Sequence, residues 1–307
     1  MGGGSWTEAK YRSYLDETNR SVCSTSYTNS AGTTTTYTTI NPSMRYQDIY
    51  TAHMICEEMK PFCVMRECKD TEEHPNTIPV ILALDVTGSM GNGAKEVARL
   101  LNVVMSELYN SVQDVEFMVM AIGDLAYDRA PIQISQFESD VRVAKWVDKI
   151  YFEGGGGWNT DESYTAAWYM GLKHCDLDCW KRNKKGIIIT LGDEPLNVYL
   201  SKEVLQQLTD DKLQLDIETK DLYPEVIKKF DVYHLAVNDR STSYHGYASM
   251  IQDTFGKYLD NDHLKVVTLN DLTPTIIDIV QNARLDMHDT MPGKFKTQVN
   301  EKGEITW

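Results

Sequence analysis

The chain has 307 residues, of which 42% are hydrophobic and 24% charged. This predicts a soluble globular protein with one large domain, or one domain with appendages. A formal net charge of -15 and a pI near 4.9 argue against a nucleic-acid or anionic-membrane surface, because both need a basic footprint. No apolar run is long enough to span a bilayer, so we expect no nucleic-acid partner and no membrane partner.

The first residues, MGGGSWTEAKYRS, lack the apolar core of a signal peptide and predict a flexible N-terminus. Without an export signal, the six cysteines do not indicate a disulfide framework. In HCDLDC (174–179), Cys175 and Cys179 stand at a spacing of one helical turn. They have no second ligand pair, which favours plain thiols over zinc. We therefore predict a cytoplasmic protein with reduced thiols.

Residues 1–75 differ from the rest of the chain and predict an N-terminal extension that packs on the main domain. The polar, low-complexity stretch STSYTNSAGTTTTYTT (24–39) predicts a loop or extended arm. In MRYQDIYTAHMICEEMK (44–60), apolar residues recur at roughly helical spacing. At the other end, residues 285–307 show no strong period and predict a C-terminal arm.

Between these ends, residues 76–284 alternate apolar strands with amphipathic helices. The predicted strands are IPVILALDV (78–86), VEFMVMAIGD (115–124), PIQISQF (131–137, an edge strand), GIIITLGDE (186–194), FDVYHLAVND (230–239) and LKVVTL (264–269). The predicted helices are AKEVARLLNVVMSELY (94–109), DVRVAKWVDKIYF (140–152), SYTAAWYMGLKH (163–174), one near YASMIQDTFGKYL (247–259), and DLTPTIIDIVQNA (271–283). This order predicts an α/β fold with a doubly wound, mainly parallel sheet flanked by helices.

Acidic residues end several of these strands. In an open parallel sheet, the ligand crevice lies at the carboxyl ends of the strands, where the strand order reverses. Asp85 and Asp193 end two separate apolar strands, and their carboxylates converge if those strands are neighbours. Asp124 ends the second strand and belongs on the same rim.

Three kinds of site could use Asp85 and the glycine-rich turn after it. A phosphate cradle is the weakest, because Lys95 stands one place too late for a P-loop and a strand-end carboxylate would repel a triphosphate. A phosphorylated Asp85 is possible in principle. A haloacid-dehalogenase-like enzyme, however, would carry a second acid at position 87, where Thr87 stands. A metal ion is the leading interpretation.

For a metal, Asp85, Thr87 and Ser89 supply oxygen ligands at alternate positions of one loop. Mg²⁺ prefers hard oxygen ligands and retains several waters, so a few carboxylates and hydroxyls suffice. The alternative is that Thr87 and Ser89 only cap the following helix. Capping does not explain why Asp85 and Asp193 both end apolar strands.

The stretch Asp85-Val86-Thr87-Gly88-Ser89-Met90 resembles the DxSxS motif of von Willebrand factor A (vWA) domains, with Thr in place of the first Ser. In that family the motif begins a metal-ion-dependent adhesion site, of a type also found in bacterial and intracellular members. GIIITLGDEP resembles the strand that ends in the last aspartate of that site, here Asp193. The resemblance covers roughly residues 76–284 and implies a vWA fold.

The remaining metal ligand departs from the common family pattern. Many vWA domains use a threonine just before a helix, whereas this chain has GGGGWNTDESYTAAW there. Some relatives use a glutamate at that point, so the resemblance favours Glu162 as direct or water-mediated ligand, with Thr160 as the alternate. Glu194 and Asp124 are assigned to the second shell or rim. Tyr164 and Trp158 flank the loop and are candidates for partner contact, although exposed or half-buried packing is the more common fate of such aromatic residues.

The resemblance implies a protein-interaction module rather than an enzyme. A bound Mg²⁺ (or Mn²⁺ or Ca²⁺) with an open coordination position would accept an acidic residue of a protein partner. Intracellular relatives suggest an AAA+ ATPase or another large assembly as that partner. The alternative function is a metal-dependent hydrolase or phosphotransferase with Asp85 as nucleophile, and it would need Asp124, Glu162 or Glu194 as general acid or base.

Overall fold

The computed structural model describes residues 4–112, 114–152 and 161–288, together with two short strands at 298–299 and 305–306. The strands are β1 (Val22–Thr28), β2 (Thr34–Ile40), β3 (Arg66–Cys68), β4 (Ile78–Asp85), β5 (Val115–Ile122), β6 (Ile132–Glu138), β7 (Cys175–Leu177), β8 (Gly186–Gly192), β9 (Tyr199–Leu200), β10 (Ile217–Glu218), β11 (Phe230–Val237), β12 (Leu264–Val267), β13 (Gln298–Val299) and β14 (Ile305–Thr306). The α-helices are α1 (Glu8–Glu17), α2 (Tyr46–Ile49), α3 (Gly91–Ser111), α4 (Arg142–Asp148), α5 (Thr165–Lys173), α6 (Lys202–Thr209), α7 (Thr219–Val226), α8 (Tyr244–Phe255) and α9 (Leu272–His288).

A six-stranded sheet forms the centre of the molecule, in the order β12–β11–β8–β4–β5–β6. Its strands are parallel except β6, which runs antiparallel to β5 at one edge. Helices cover both faces, because alternate side chains of β4 enter two different cores. Leu82 packs into the core that includes α3, α4 and α9, whereas Ile81 packs into the core that includes α5 to α8. The predicted doubly wound α/β fold is therefore confirmed.

Beside β4, the chain stops adding strands on one side of the sheet and continues on the other side. The candidate site lies at this reversal of strand order. The chain passes from β4 to β5 on one side, whereas β8 pairs with β4 on the other side. In the β4–β8 register Leu84 lies opposite Leu191. Asp85 and Asp193 therefore leave the sheet from adjacent strands at the same edge, as the sequence predicts for a topological switch point.

The N-terminus departs from the prediction of a flexible segment. Residues 8–17 form α1. Thr7 caps this helix, because its side chain accepts a hydrogen bond from the backbone N–H of Lys10. Trp6 is buried and its indole N–H donates to Asn102 Oδ1 of α3 at 2.8 Å. Tyr11 and Leu15 are buried in the same core as β4. Burial of these large side chains orders the segment.

The threonine-rich stretch also departs from its prediction. Instead of a loop or arm, residues 22–40 form the antiparallel hairpin β1–β2. Tyr27 of β1 and Tyr37 of β2 lie on the same face of the hairpin and pack against Leu100 and Val103 of α3. β-branched threonines favour extended backbone, and two tyrosines on one face suffice to attach the hairpin to a helix.

Two segments with helical spacing in the sequence do not form the helices that this spacing suggests. Residues 44–60 contain only the four-residue helix α2 and a 3₁₀ turn at Glu57–Met59, instead of one helix. Cys175 lies in β7 and Cys179 in the following 3₁₀ turn at Asp178–Arg182, so they do not share a helix. Both thiols are free and buried. No helix in the described part of the chain is both long and apolar enough to cross a membrane.

Candidate metal centre

Asp85 is fully buried at the last position of β4. Its Oδ1 accepts hydrogen bonds from the backbone N–H of Thr87 at 2.8 Å and from the Thr87 hydroxyl at 2.6 Å. Its Oδ2 accepts from the hydroxyl of Tyr164 at 2.8 Å. An apolar strand covered on both faces thus delivers a carboxylate to the crevice, and neutral donors hold it there.

The loop after β4 carries a short chain of oxygens from Asp85 to Asp193. The Thr87 hydroxyl lies 3.2 Å from the Ser89 hydroxyl, and the latter donates to Asp193 Oδ1 at 3.2 Å. Neither hydroxyl caps a helix: Thr87 makes no side-chain capping bond, and the residue before α3 is Met90. The capping interpretation is therefore wrong, and both hydroxyls face the acids.

Asp193 follows β8 and is as completely buried as Asp85. Besides the Ser89 bond, its Oδ2 accepts a hydrogen bond from the backbone N–H of Ser243, the residue before α8. Three separate elements thus converge on the site: the β4 loop, the end of β8 and the start of α8. The predicted convergence of Asp85 and Asp193 is present, with the hydroxyls of Thr87 and Ser89 between them.

Tyr164 lies inside the site and not at a partner-facing rim. Its side chain is fully buried, and its ring packs against His234 and Phe255. Its hydroxyl reaches Asp85 because position 192 is glycine: a Cβ there would overlap the Tyr164 hydroxyl. Of the two fates considered for Tyr164, partner contact is wrong; the side chain packs within the protein, fully buried, where it fills the space over Gly192 and donates to Asp85.

Glu162 and Asp124 are the other buried acids of this edge. Glu162 immediately precedes the α5 region and forms a parallel bridge with Leu196, with its N–H donating to Pro195 O at 3.1 Å. Among the described residues, Oε2 of Glu162 and Oδ2 of Asp124 are buried without a hydrogen-bond partner. Glu194 is half-buried beside them. Thr160, the alternate ligand, and Trp158 lie outside the described residues.

The electrostatics of the site are those of several acids without a base. Burial, followed by the charge of Asp193, raises the pKa of Asp85 above its ordinary value. Burial, followed by the charge of Asp85, raises the pKa of Glu162. Burial also raises the pKa of Glu194 to about 7. Within the chain as described, no lysine, arginine or histidine forms an ion pair with Asp85 or Asp193.

The donor set fits a hard divalent cation. Carboxylate and hydroxyl oxygens are the ligands Mg²⁺ prefers, and a cation would relieve the repulsion between the buried acids. In the described ranges, no three His, Cys, Asp or Glu side chains stand close enough together to hold a metal ion. A cation here would therefore rest on Asp85, Asp193, the two hydroxyls and water. Glu162 would then act through water, which is one of the two roles predicted for it.

Sequence reasoning missed two of the site's donors. The Tyr164 hydroxyl and the Ser243 N–H both contact the acids, yet each comes from an element distant in sequence. A signal existed for Tyr164 only, since the glycine before Asp193 leaves room for a large side chain. No sequence pattern marks a backbone N–H such as that of Ser243.

Neither a family model nor a curated protein sequence matches the chain. Solved structures with a similar fold include the pilus adhesin SpaC from Lactobacillus rhamnosus GG, at 12% identity and a TM-score of 0.44. The matched region covers 71% of this chain and 30% of SpaC. The vWF domain of the type V pili tip protein Mfa5 from Porphyromonas gingivalis has 10% identity and a TM-score of 0.43, covering 71% and 97%. The SpRpn10 VWA domain has 12% identity and a TM-score of 0.39, covering 66% and 95%.

The chain therefore spans less than a third of SpaC, but nearly all of the two isolated domains. Two of these three structures carry the name of the vWA family, which the Asp85-Val86-Thr87-Gly88-Ser89 motif resembles. At these identities the likeness concerns the fold alone and transfers no ligand and no partner.

Proposed function

We propose that the chain is a divalent-metal-dependent protein-interaction module. The proposal rests on two fully buried acids, Asp85 and Asp193, which the hydroxyls of Thr87 and Ser89 join and which form no ion pair with a basic side chain among the described residues. Burying such a pair is costly unless a cation accompanies it. Mg²⁺ is the proposed ion, with Mn²⁺ or Ca²⁺ as substitutes that accept the same oxygens.

The proposed binding reaction uses the ion as a bridge. Protein oxygens would occupy part of the coordination shell, and an acidic side chain of the partner would displace water from the rest. A chain with a net charge of -15 repels a free carboxylate. Attraction of an acidic partner would therefore depend on the ion. A large assembly, such as one built around an AAA+ ATPase in the cytoplasm, is the proposed setting.

Metal binding is tested by isothermal titration calorimetry with Mg²⁺ and Mn²⁺ on the full chain. We expect one site in the wild type and none in Asp193→Ala. The matched control is Asp231→Ala, which removes an exposed acid paired with Lys185 near the start of β11, at the opposite end of the sheet. Equal heats in wild type and Asp193→Ala would contradict the proposed site.

Partner binding is tested by affinity capture with wild type and Asp85→Ala as baits, with and without EDTA. The proposal expects the same proteins to be lost by the substitution and by the chelator. Partners that survive both treatments would show an interaction that does not use the ion.

The alternative function, a hydrolase or phosphotransferase with Asp85 as nucleophile, has weaker geometric support. Both Oδ atoms of Asp85 already accept hydrogen bonds, from Thr87 and from Tyr164. A nucleophile also has to be ionised, whereas burial raises the pKa of this carboxyl. Turnover of a generic phosphatase substrate, or a beryllofluoride adduct lost in Asp85→Ala, would reverse this preference.

A further inference from the structure

The hairpin β1–β2 lies outside the central sheet and has two edges of its own. At its ends, Asn29 N donates to Thr33 O at 3.0 Å and Asn41 N donates to Ser21 O at 2.8 Å. Residues in an antiparallel pair alternate between facing the partner strand and facing away from it. The odd-numbered residues of β1 therefore bond to β2. The even-numbered ones direct their N–H and C=O groups away from it; they are Val22, Ser24, Ser26 and Thr28.

At Thr38, the edge of β2 is covered by the body of the protein. The N–H of Thr38 donates to Glu8 Oε1 at 3.1 Å, and its carbonyl accepts from Asn102 Nδ2 at 2.8 Å. These contacts come from α1 and α3. Thr38 is the cross-strand partner of Ser24, and its main-chain groups point away from β1. This confirms that Ser24 also directs its main-chain groups away from the partner strand.

The edge of β1 is open. All four of its outward-directed residues are exposed, and among the described residues no hydrogen bond reaches their outward main-chain groups. The strand is VCSTSYT, seven residues without a charge or a proline. Natural edge strands usually carry such residues to prevent pairing with another chain. β1 therefore lacks the residues that would prevent it from pairing with a strand of another chain.

We propose that β1 pairs antiparallel with β1 of a second copy of this chain, around a two-fold axis at Thr25. The four outward-directed residues lie symmetrically about Thr25. In this register Val22 faces Thr28 of the second copy, and Ser24 faces Ser26. Each facing pair exchanges two main-chain hydrogen bonds, about eight in all. The two hairpins thereby form one four-stranded sheet with a closed, isologous interface.

The charges around the axis favour a second copy as the occupant. Each copy has a net charge of -15, so self-association needs a neutral contact surface, and β1 supplies one. The nearest charged side chain is Arg99, which lies 3.4 Å from the Thr25 hydroxyl. Arg99 is neutralised within its own copy by Glu96, at 2.6 Å. The facing residues of the two strands are therefore uncharged, and the acids near Tyr27, Asp278 and Glu107, are not among the facing pairs.

The proposal is tested by sedimentation velocity of the full chain over a concentration series. We expect the wild type to shift from monomer to dimer with rising concentration. In Ser24→Lys/Ser26→Lys, lysines of the two copies face each other, so the dissociation constant should rise by at least about tenfold. The matched control is Thr34→Lys/Thr36→Lys. It adds the same charge to exposed positions of β2, whose main chain is not in the interface.

A charge-complementary variant distinguishes pairing from a folding defect. Ser24→Glu/Ser26→Lys places glutamate opposite lysine in both halves of the interface, so it should dimerise at least as well as the wild type. Far-ultraviolet circular dichroism verifies that each variant is folded. A wild type that stays monomeric throughout the series would overturn the proposal. So would a Ser24→Lys/Ser26→Lys dimer of wild-type strength, or a charge-complementary variant as weak as the double lysine.

Discussion

Two regions of the molecule bury aspartates in opposite ways. Asp148, at the end of α4, lies 2.5 Å from the guanidinium of Arg20 and also contacts the hydroxyl of Tyr14. That guanidinium donates further to Ile49 O at 2.7 Å. Asp85 and Asp193 have hydroxyl and amide donors but, in the part of the chain that the structure describes, no basic partner.

The difference separates a completed ion pair from an incomplete one. At Asp148 the chain supplies its own cation, and the group joins the N-terminal extension to α4. At Asp85 the chain supplies only neutral donors, which orient a carboxylate without cancelling its charge. The first arrangement suits a structural contact, and the second suits an ion taken from solution.

The largest expected effect comes from breaking the completed pair. Arg20→Met leaves Asp148 largely buried beside Tyr14 without its cation, so unfolding in urea should show a loss of about 3–5 kcal/mol. The control is Arg12→Met, which breaks an exposed pair with Glu8 whose arginine side chain is 62% accessible. That change should cost less than about 1 kcal/mol. Equal losses would mean that Arg20 acts through packing rather than charge.

The second effect separates metal from fold at the incomplete pair. Mg²⁺ at one hundred times its dissociation constant should stabilise the wild type by about 2.7 kcal/mol in thermal unfolding, and Asp85→Asn should show no such gain. In EDTA, Asp85→Asn should be at least as stable as the wild type, because it removes one of two neighbouring buried acids. A large destabilisation of Asp85→Asn in EDTA would make the carboxylate structural.

The third effect concerns Glu116, a buried acid at the other end of the sheet. Burial, its largest influence, raises its pKa to about 7 from an ordinary 4.5. The folded state therefore holds this proton more tightly than the unfolded state. The resulting stability is complete below about pH 4.5 and is lost as the pH rises through about 7.

Glu116→Gln should remove that loss, and the difference from wild type should reach about 3 kcal/mol by pH 8 in urea unfolding. Glu116 has its side-chain hydrogen bond with the Cys68 thiol, and its pKa is also influenced by His74. Mg²⁺ should therefore leave the wild-type-to-variant difference unchanged. If the stability difference between wild type and Glu116→Gln changed with Mg²⁺, Glu116 would behave like the acids of the candidate metal centre, and the distinction between the two kinds of buried acid would fail.

The smallest effect tests the donor that sequence reasoning missed. Tyr164→Phe removes the hydrogen bond to Asp85 Oδ2, and we expect Mg²⁺ affinity to fall about tenfold, as for other residues that orient metal ligands. Tyr169→Phe is the matched control. It removes the hydroxyl of a buried tyrosine in α5, the helix that begins directly after Tyr164, and the hydrogen-bond partner there is Asp211. Calorimetry should find wild-type affinity in that control.

Much of the fold followed from periodicity. The apolar runs of β4, β5, β8 and β11 predict central parallel strands, because only strands covered on both faces lack polar alternation. The predictions were poorest in residues 1–75. There, order depends on contacts with α3, such as Trp6 with Asn102, and not on local pattern. Helices α6 and α7 occupy a stretch for which no element was predicted.

The sequence sufficed to place Asp85 and Asp193 at strand ends and to put Thr87 and Ser89 between them. This was possible because a buried strand and the loop after it are local features. Tertiary structure alone brought in Tyr164 and the Ser243 N–H, because hydrogen bonds between distant elements follow from packing. It also decided that the threonine-rich stretch is a hairpin whose β2 edge is covered at Thr38 and whose β1 edge is open. Hydrogen-bonding phase and coverage by α1 and α3 depend on which surfaces meet, and no local pattern encodes that.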